Sequence, residues 1–478
     1  MKRINNMKSC RLLLLCFLSI AAVSSCGKMD PAYRADLQAK KYLRDQYMDV
    51  YYYWNKEVRS RNAKLSPDDY DIYRFFNAML YSKDRWSWME DRDSYVSSST
   101  GTYVGGTYAI KVTQAVEDFD DYRVWIRYIF PGSPLERYGV TRGAQLKAVA
   151  DIDVSEGFSS QEKVDAFNRA VAVSPQTFTF RLVDGRDTTF TAIWATSFTT
   201  DYILKTAVFT NEDYPGLNEP VGYLNFISFN NNKVPELCRA LRSLKEKGAR
   251  KLILDLRYNG GGDSRASDTL VSFIAPKSAV GKTYVTRTHN DNLRGRGYDQ
   301  STEVKQNADN LGLDAIYFIM GSGSASASEM VYNGMRPLYA ENVHHVGRVT
   351  YGKPNGMYVL MYPGDRSSHN AYDKGDYSKL EYVFYPISFY NVNSASQHIP
   401  DEGFTPENSG CDDIYNDFGP KERDIAACLH HIVHGYYPAE PATVNLRRQS
   451  EGGVIDKLLL PEEKTNSNYG SYKVQLSK

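Results

Sequence analysis

The spacing of apolar positions changes character three times along this chain. Between Asp30 and about Asp93, Tyr42, Leu43, Tyr47, Val50, Tyr51 and Trp54 recur near a 3.6-residue period, which predicts helix. A second helix is expected over residues 67–80, with Ser66 as its N-cap and Asp68 and Asp69 in its first turn. Residues 94–106, rich in Ser, Thr and Gly, read as a linker or mobile loop. From 107 to 198 the pattern becomes short strands around one helix. Residues 124–129 alternate as a strand, 159–173 form an amphipathic helix with Val164 and Phe167 on its apolar side, and 177–182 with 188–193 predict a hairpin across Asp184-Gly185-Arg186. Beyond Asp201, strands (221–229, 251–256, 315–320) alternate with helices (234–247, 327–338), the pattern of an α/β unit. From Pro438 onward the chain is polar and weakly patterned, and a partly ordered tail is expected.

The first residues follow a different logic. Lys2, Arg3, Lys8 and Arg11 precede an apolar run over 12–23. That run is well short of the roughly 20 residues needed to span a bilayer, and a basic start, short apolar core and small residues are the marks of a secretory signal. Val23-Ser24-Ser25-Cys26 resembles a lipobox, in which the cysteine becomes an acylated first residue. Several acyl chains anchor a protein stably where one does not. Ordinary cleavage nearby, leaving Cys26 a plain cysteine, is the alternative.

Composition narrows the function classes. The 478 residues are 42% hydrophobic and 24% charged, which excludes a disordered chain. Lys+Arg and Asp+Glu both total 57, so the basic excess expected of a nucleic-acid binder is missing. Cleavage before Cys26 removes four basic side chains and leaves 53 against 57, a mildly acidic body. Tyrosine is frequent, at 37 residues, a composition suited to both core and binding surface. Past Cys26 only Cys238, Cys411 and Cys428 remain, with no Cys-x-x-Cys pair; buried free thiols are expected.

Three elements carry candidate chemistry. Gly321-Ser322-Gly323-Ser324-Ala325-Ser326-Ala327-Ser328-Glu329 lies between an expected strand and helix, where small residues permit a sharp turn and free N–H groups favour developing negative charge. Asp255-Leu256-Arg257-Tyr258-Asn259-Gly260-Gly261-Gly262 follows a buried strand, and its backbone N–H groups can cradle an oxyanion. It lacks the Gly-Lys-Ser/Thr of a phosphate loop. Thr350-Tyr351-Gly352-Lys353 follows the apolar stretch 343–346, and its lysine can act as a base only if desolvation brings it toward neutrality. Each is weak alone.

Taken together, with Lys353 some 27 residues after Ser326, they resemble the C-terminal processing (tail-specific) protease family. The resemblance runs from about residue 31 to 435. Asp84-Arg85-Trp86-Ser87 is similar to the end of that family's N-terminal helical region. Residues 107–198 look like its PDZ domain, with Pro131-Gly132-Ser133-Pro134 and Gly139 at the family's turn. Phe404-Thr405-Pro406-Glu407 looks like its closing element. The implied fold is an α+β multidomain chain with an N-terminal helical region, a PDZ-like β-rich domain and an α/β (crotonase/ClpP-like) protease core. The implied divisions are a 1–25 lipoprotein signal peptide, a 26–106 helical region and linker, a 107–198 PDZ-like domain, a 199–437 serine protease core and a 438–478 tail.

The resemblance implies Ser326 as nucleophile, Lys353 as general base, and the N–H groups of Gly262 and Ala327 as the oxyanion hole, with Glu329 supporting the loop. It calls for neither cofactor nor metal. The partners implied are protein or peptide substrates, those with free C-termini among them, and a membrane reached through lipid on Cys26, in a cell envelope facing periplasm or cell surface; nucleic acid is not expected. Peptide docking is expected along Tyr108, Ala109 and Ile110, beside the 159–173 helix. Three positions depart from the family: Met357 stands where a Gln is frequent, Arg348 where a Glu is common, and Gly143-Ala144 where Gly-Asp is usual.

Competing readings remain. His430 and His434, four apart on a helix with His431 between them, have a spacing that suits a metal but lack the His-Glu-x-x-His of zinc proteases. His344 or His345 can in principle complete a Ser-His-Asp triad with Ser326. A lipoprotein that has weakened or lost turnover and binds peptides or other polymers is the main alternative to a peptidase, and a structural partner in an envelope complex is a third reading.

Overall fold

The computed structural model describes residues 30–100, 102–115, 121–438 and 457–458. Its centre is a six-stranded sheet in the order Ile203–Phe209, Val221–Phe226, Lys251–Asp255, Ala315–Met320, Val343–Gly347, Asn408–Ser409. The first pair is antiparallel and the rest parallel. Parallel strands covered on both faces read as continuous apolar runs. Val221–Phe226 and Ala315–Met320 are buried at every position, and helices Val234–Glu246, Ser264–Ile274 and Ala327–Tyr339 supply the crossovers. Of these, Val221–Phe226, Lys251–Asp255, Ala315–Met320, Val234–Glu246 and Ala327–Tyr339 fall within a few residues of the expected bounds, whereas the strand Ile203–Phe209 and the helix Ser264–Ile274 lie where no element was expected. Among the described residues no helix is long and apolar enough to cross a membrane.

A second sheet holds Ile110–Ala115, Asp121–Ile129, Gln145–Val149, Gln176–Arg181 and Asp187–Ala192 in that order, all antiparallel. Its own core contains Val124, Ile126, Leu146, Phe167, Phe178 and Phe180. The expected hairpin is present, with Gln176–Arg181 paired to Asp187–Ala192. The expected helix spans Gln161–Val171, capped by the Ser160 side chain on the Lys163 N–H at 3.2 Å.

The 94–106 stretch is not a loop. Helix Arg92–Thr100 and strand Thr102–Thr107 occupy it, and the strand pairs antiparallel with Ala195–Thr199. Gly106 signals a close approach rather than a turn: a Cβ there, at φ +104°, would sit 2.2 Å from the Trp194 ring. The N-cap expectation near residue 66 is also corrected. Residues Pro67–Asp69 form a single 3-10 turn, and the helix is Ile72–Ala78, capped by Asp71 accepting from the Arg74 N–H at 2.8 Å.

The N-terminal helices do not stand apart. Leu43, Tyr52, Phe75, Phe76 and Trp86 share one core with Leu360, Phe384 and Ile387 from the far end of the chain. Much of the tyrosine is spent here: Tyr42 meets Tyr47 edge-on at 5.0 Å, Tyr53 meets Tyr390 at 4.6 Å, and Trp88 stacks on Tyr385 at 4.0 Å between ring centroids. Tyrosine suits such a seam because its ring buries large area while its hydroxyl needs only one polar partner. Tyr52 donates to Asp84 at 2.7 Å and Tyr385 to Glu90 at 2.6 Å.

Candidate active site

The strand Ala315–Met320 ends against a small-residue turn, and the helix Ala327–Tyr339 starts immediately after Ser326. Ser326 holds φ 55° and ψ −113°, a conformation that costs a non-glycine residue about 1–3 kcal/mol and persists only where the surroundings impose it. The neighbouring serines have structural work. Ser324 Oγ donates to the Leu256 carbonyl at 2.7 Å and Ser328 Oγ to the Asn259 carbonyl at 2.7 Å, while the Ala325 N–H reaches the same Asn259 carbonyl at 3.2 Å. Ser324 and Ser328 are thus buried and committed, whereas Ser326 is half-buried and Ser322 exposed.

These bonds pin the serine turn to the glycine loop after Lys251–Asp255. Asn259 organises that loop: its amide donates to the Phe226 carbonyl at 3.0 Å and its Oδ1 accepts the Gly261 N–H at 2.9 Å. Gly261, at φ +105°, packs so closely that a Cβ there would lie 2.8 Å from Ser326 Cβ and 3.0 Å from the Ala327 nitrogen. Gly262, at φ +135°, bridges to Phe229 and is solvent-exposed. Ala327 is the first residue of its helix, so its N–H has no intrahelical acceptor.

Lys353 arrives from the strand Val343–Gly347 through Thr350 and Gly352. The carboxylate of Glu329 gathers this segment and the serine turn. One oxygen accepts from Ser326 N–H at 3.1 Å and Lys353 N–H at 2.9 Å; the other accepts from Thr350 Oγ1 at 2.5 Å and Gly352 N–H at 2.7 Å. Burial pushes its pKa up, while the four converging donors favour the anion. A further bond runs from the Tyr351 N–H to the Ser324 carbonyl at 3.0 Å.

The Lys353 side chain is buried. Desolvation brings its ammonium from the usual 10.5 down to about 7, against the pull of the Glu329 and Asp84 carboxylates, which favour the charged form. Its Nζ lies 3.7 Å from Met357 Sδ, a weak acceptor in place of an amide oxygen. Asp84 enters from the N-terminal region, where it also accepts from Tyr52 Oη, from Ser87 Oγ at 2.5 Å and from the Trp86 and Ser87 N–H groups at 2.9 Å. Neither Asp84 nor Thr350 was singled out from sequence. The Asp-Arg-Trp-Ser string was visible, but its distance from Lys353 along the chain hid its proximity.

The other sequence candidates lie elsewhere. His344 pairs with Glu407 at 2.8 Å and stacks on Tyr317. His345 is fully buried against Tyr332, and burial lowers its pKa to about 4. Neither ring is therefore placed as a triad member. His430 contacts His434 at 4.3 Å between rings and bonds the Tyr436 carbonyl at 2.9 Å. No group of three or more His, Cys, Asp or Glu able to hold a metal occurs among the described residues. Cys238, Cys411 and Cys428 are free thiols, the last two buried. Tyr108, Ala109 and Ile110 have buried side chains; the Tyr108 carbonyl accepts from Ser133 Oγ at 2.7 Å and the Ala109 carbonyl from the Phe130 N–H at 3.0 Å. Cys26 lies outside the described residues.

Residues 220–379 match the family model described as peptidase family S41. The carboxyl-terminal-processing protease of Picosynechococcus sp. (strain ATCC 27264 / PCC 7002 / PR-6) is 26% identical over 269 residues, 52% of this chain and 60% of that protein. The carboxyl-terminal-processing protease of Synechocystis sp. (strain ATCC 27184 / PCC 6803 / Kazusa) is 27% identical over 143 residues, 30% of each. The chain thus spans three fifths or less of the length of these curated relatives. A crystal structure from Bacteroides fragilis NCTC 9343, assigned to the S41 proteases, superimposes with a TM-score of 0.63 over 81% of this chain and 96% of that one at 20% identity, so the mixed α+β multidomain fold is shared. The chain carries a peptidase family S41 domain, and its relatives are carboxyl-terminal-processing proteases.

Proposed function

We propose that this protein is a serine endopeptidase that hydrolyses peptide bonds of protein substrates through Ser326 and Lys353. The observation that carries the reading is the buried Lys353, brought to about 7, whose backbone shares one carboxylate oxygen of Glu329 with that of Ser326. A lysine near neutrality is a competent base at physiological pH. In this reading Ser326 Oγ attacks the scissile carbonyl as neutral Lys353 takes its proton, and the N–H groups of Ala327 and Gly262 hold the tetrahedral oxyanion. Lys353 then returns the proton to the leaving amine, and water, deprotonated by the same lysine, releases the acyl group. The 199–437 segment is the α/β, crotonase/ClpP-like catalytic core. The 107–198 unit is its PDZ-like domain and 26–106 its helical support. With 1–25 removed, lipid on Cys26 holds the enzyme to an envelope membrane, facing periplasm or cell surface.

Met357 beside Lys353 supports a second reading, a protein of weakened turnover that mainly binds peptides. Digestion of an unfolded protein with a free apolar C-terminus separates the two. Hydrolysis by wild type that is lost in Ser326→Ala and Lys353→Ala is expected. Peptide binding with no Ser326-dependent cleavage and no acyl-enzyme would favour the second reading.

A further inference from the structure

The turn Asp84-Arg85-Trp86-Ser87 is bonded to the chain on both sides of Lys353. On one side Arg85 donates to the Asp401 carbonyl at 3.3 Å, and that carbonyl closes on Gly352, where a Cβ would lie 2.2 Å from it. On the other side Ser87 Oγ accepts from the Ile387 N–H at 2.9 Å. Ile387 is the ladder partner of Met357, whose sulfur lies 3.7 Å from Lys353 Nζ. Asp84 holds the turn in this shape. Its Oδ1 accepts the Trp86 and Ser87 N–H groups at 2.9 Å, and its Oδ2 accepts from Tyr52 Oη at 2.7 Å and Ser87 Oγ at 2.5 Å. The last bond uses the one proton of the Ser87 hydroxyl, so a lone pair is left to face the Ile387 N–H. Ser87 and Ile387 are both buried, so the link is part of the packed interior. The charged groups that act on Lys353 are few. Burial pushes its ammonium down, while Glu329 from the helix Ala327–Tyr339 and Asp84 from this turn push it back up. Around Asp84 itself stand Tyr52, Arg85, Tyr390 and Asp401.

We propose that Asp84 is a positioning residue for Lys353: it fixes the strand beside the lysine through Ser87 and Ile387, and its negative charge keeps the lysine a strong enough base to take a proton from a serine hydroxyl. The role rests on the Ser326/Lys353 reading, and under it the N-terminal region completes the catalytic site rather than only supporting it. A neighbouring carboxylate favours the ammonium, so it opposes the loss of basicity that desolvation imposes. A directly paired charge shifts such a group by about 1–3 pH units; as the weaker of two anions, Asp84 is expected to shift it by about half a unit, or about threefold in the protonation equilibrium.

The test compares kcat/KM against pH in three variants. Asp84→Asn removes the charge and keeps an oxygen for the Trp86 and Ser87 N–H groups, while the Tyr52 and Ser87 hydroxyls can turn to accept from its NH2 group. Asp84→Ser, which also keeps an acceptor, takes its place if that chain does not fold. Ser87→Ala keeps the charge and cuts the link to Ile387. In the neutral variant the acid limb should lie about half a pH unit lower and the plateau should fall several-fold; Ser87→Ala should lower the plateau and leave the limb in place, and Asp84→Glu should return the limb toward its wild-type pH. A limb unmoved by loss of the charge, or moved equally by Ser87→Ala, overturns the proposal. The same displacement is read without turnover in Ser326→Ala protein, as the pH at which urea stability begins to rise relative to the Lys353→Met chain, about half a unit lower with Asn at position 84. That displacement without any hydrolysis by wild type would refute the peptidase reading and keep the action of Asp84 on Lys353. Ser326-dependent hydrolysis with neither measurement displaced would do the reverse.

Discussion

Replacing Lys353 by Met should abolish hydrolysis and, at the same time, stabilise the protein in a way that fades as pH rises. The side chain is buried and its pKa falls from the usual 10.5 to about 7. Each tenfold change in protonation equilibrium is about 1.4 kcal/mol, so the folded state disfavours the charged lysine by about 5 kcal/mol. Below pH 7 the lysine is protonated in both folded and unfolded chains, and the fold carries that whole cost. Between pH 7 and 10.5 the unfolded chain binds the extra proton, so wild-type stability rises with pH; above 10.5 the cost is gone. Methionine has no charge to bury. The stability gained by Lys353→Met should therefore shrink by about 2–3 kcal/mol between pH 7.5 and 9.5, apart from a constant packing difference. Urea unfolding followed by tryptophan fluorescence at the two pH values reads this directly, with m checked for constancy. In wild type, kcat/KM should rise tenfold per pH unit below about 7 and level off above it. A stability difference that does not change with pH would mean that Lys353 keeps its charge in the folded protein, and the base assignment would fall with it.

Glu329→Gln replaces one of two carboxylate oxygens by an NH2 group, so two buried donors face a donor; a loss of about 2–6 kcal/mol in urea unfolding is expected. The same change removes a negative neighbour of Lys353, and the acid limb of any residual activity should move to lower pH; an unmoved limb would refute that electrostatic link. Gly261→Ala adds a Cβ 2.8 Å from that of Ser326 at a positive φ, and kcat should drop about 100-fold or more with KM little changed, as for a displaced oxyanion loop. Met357→Gln puts an amide oxygen where a sulfur now lies 3.7 Å from Nζ. The acid limb should shift to higher pH and the plateau rate rise, and a lower plateau with an unshifted limb would count against a positioning role for this residue.

The contrast between the two halves of this site shows where sequence reading stops. Ser326, Lys353, Gly262 and Ala327 sit in short strings whose composition is informative by itself: small residues after an apolar strand, a lysine after another. The strands Val221–Phe226 and Ala315–Met320 and the helices Val234–Glu246 and Ala327–Tyr339 were equally legible, because burial on both faces writes continuous apolar runs and amphipathic helices repeat every 3.6 residues; the helix Ser264–Ile274 was not. The strand Thr102–Thr107 was not legible, since its glycine serves Trp194, far along the chain.

What the sequence determined alone is thus the order of the main core elements and which groups are candidates to react. Tertiary structure decided their chemical state. Lys353 can lose its proton near neutrality only because packing strips it of water, while Asp84, 269 residues earlier in the chain, pulls toward the charged form. Glu329 binds the Ser326 and Lys353 segments together through backbone N–H groups that every non-proline residue possesses, so no side-chain pattern announces it. The pairing of Lys457–Leu458 with Lys111 and Val112 is main-chain chemistry of the same kind. Desolvation and backbone pairing depend on where distant segments meet, and local periodicity carries no record of that.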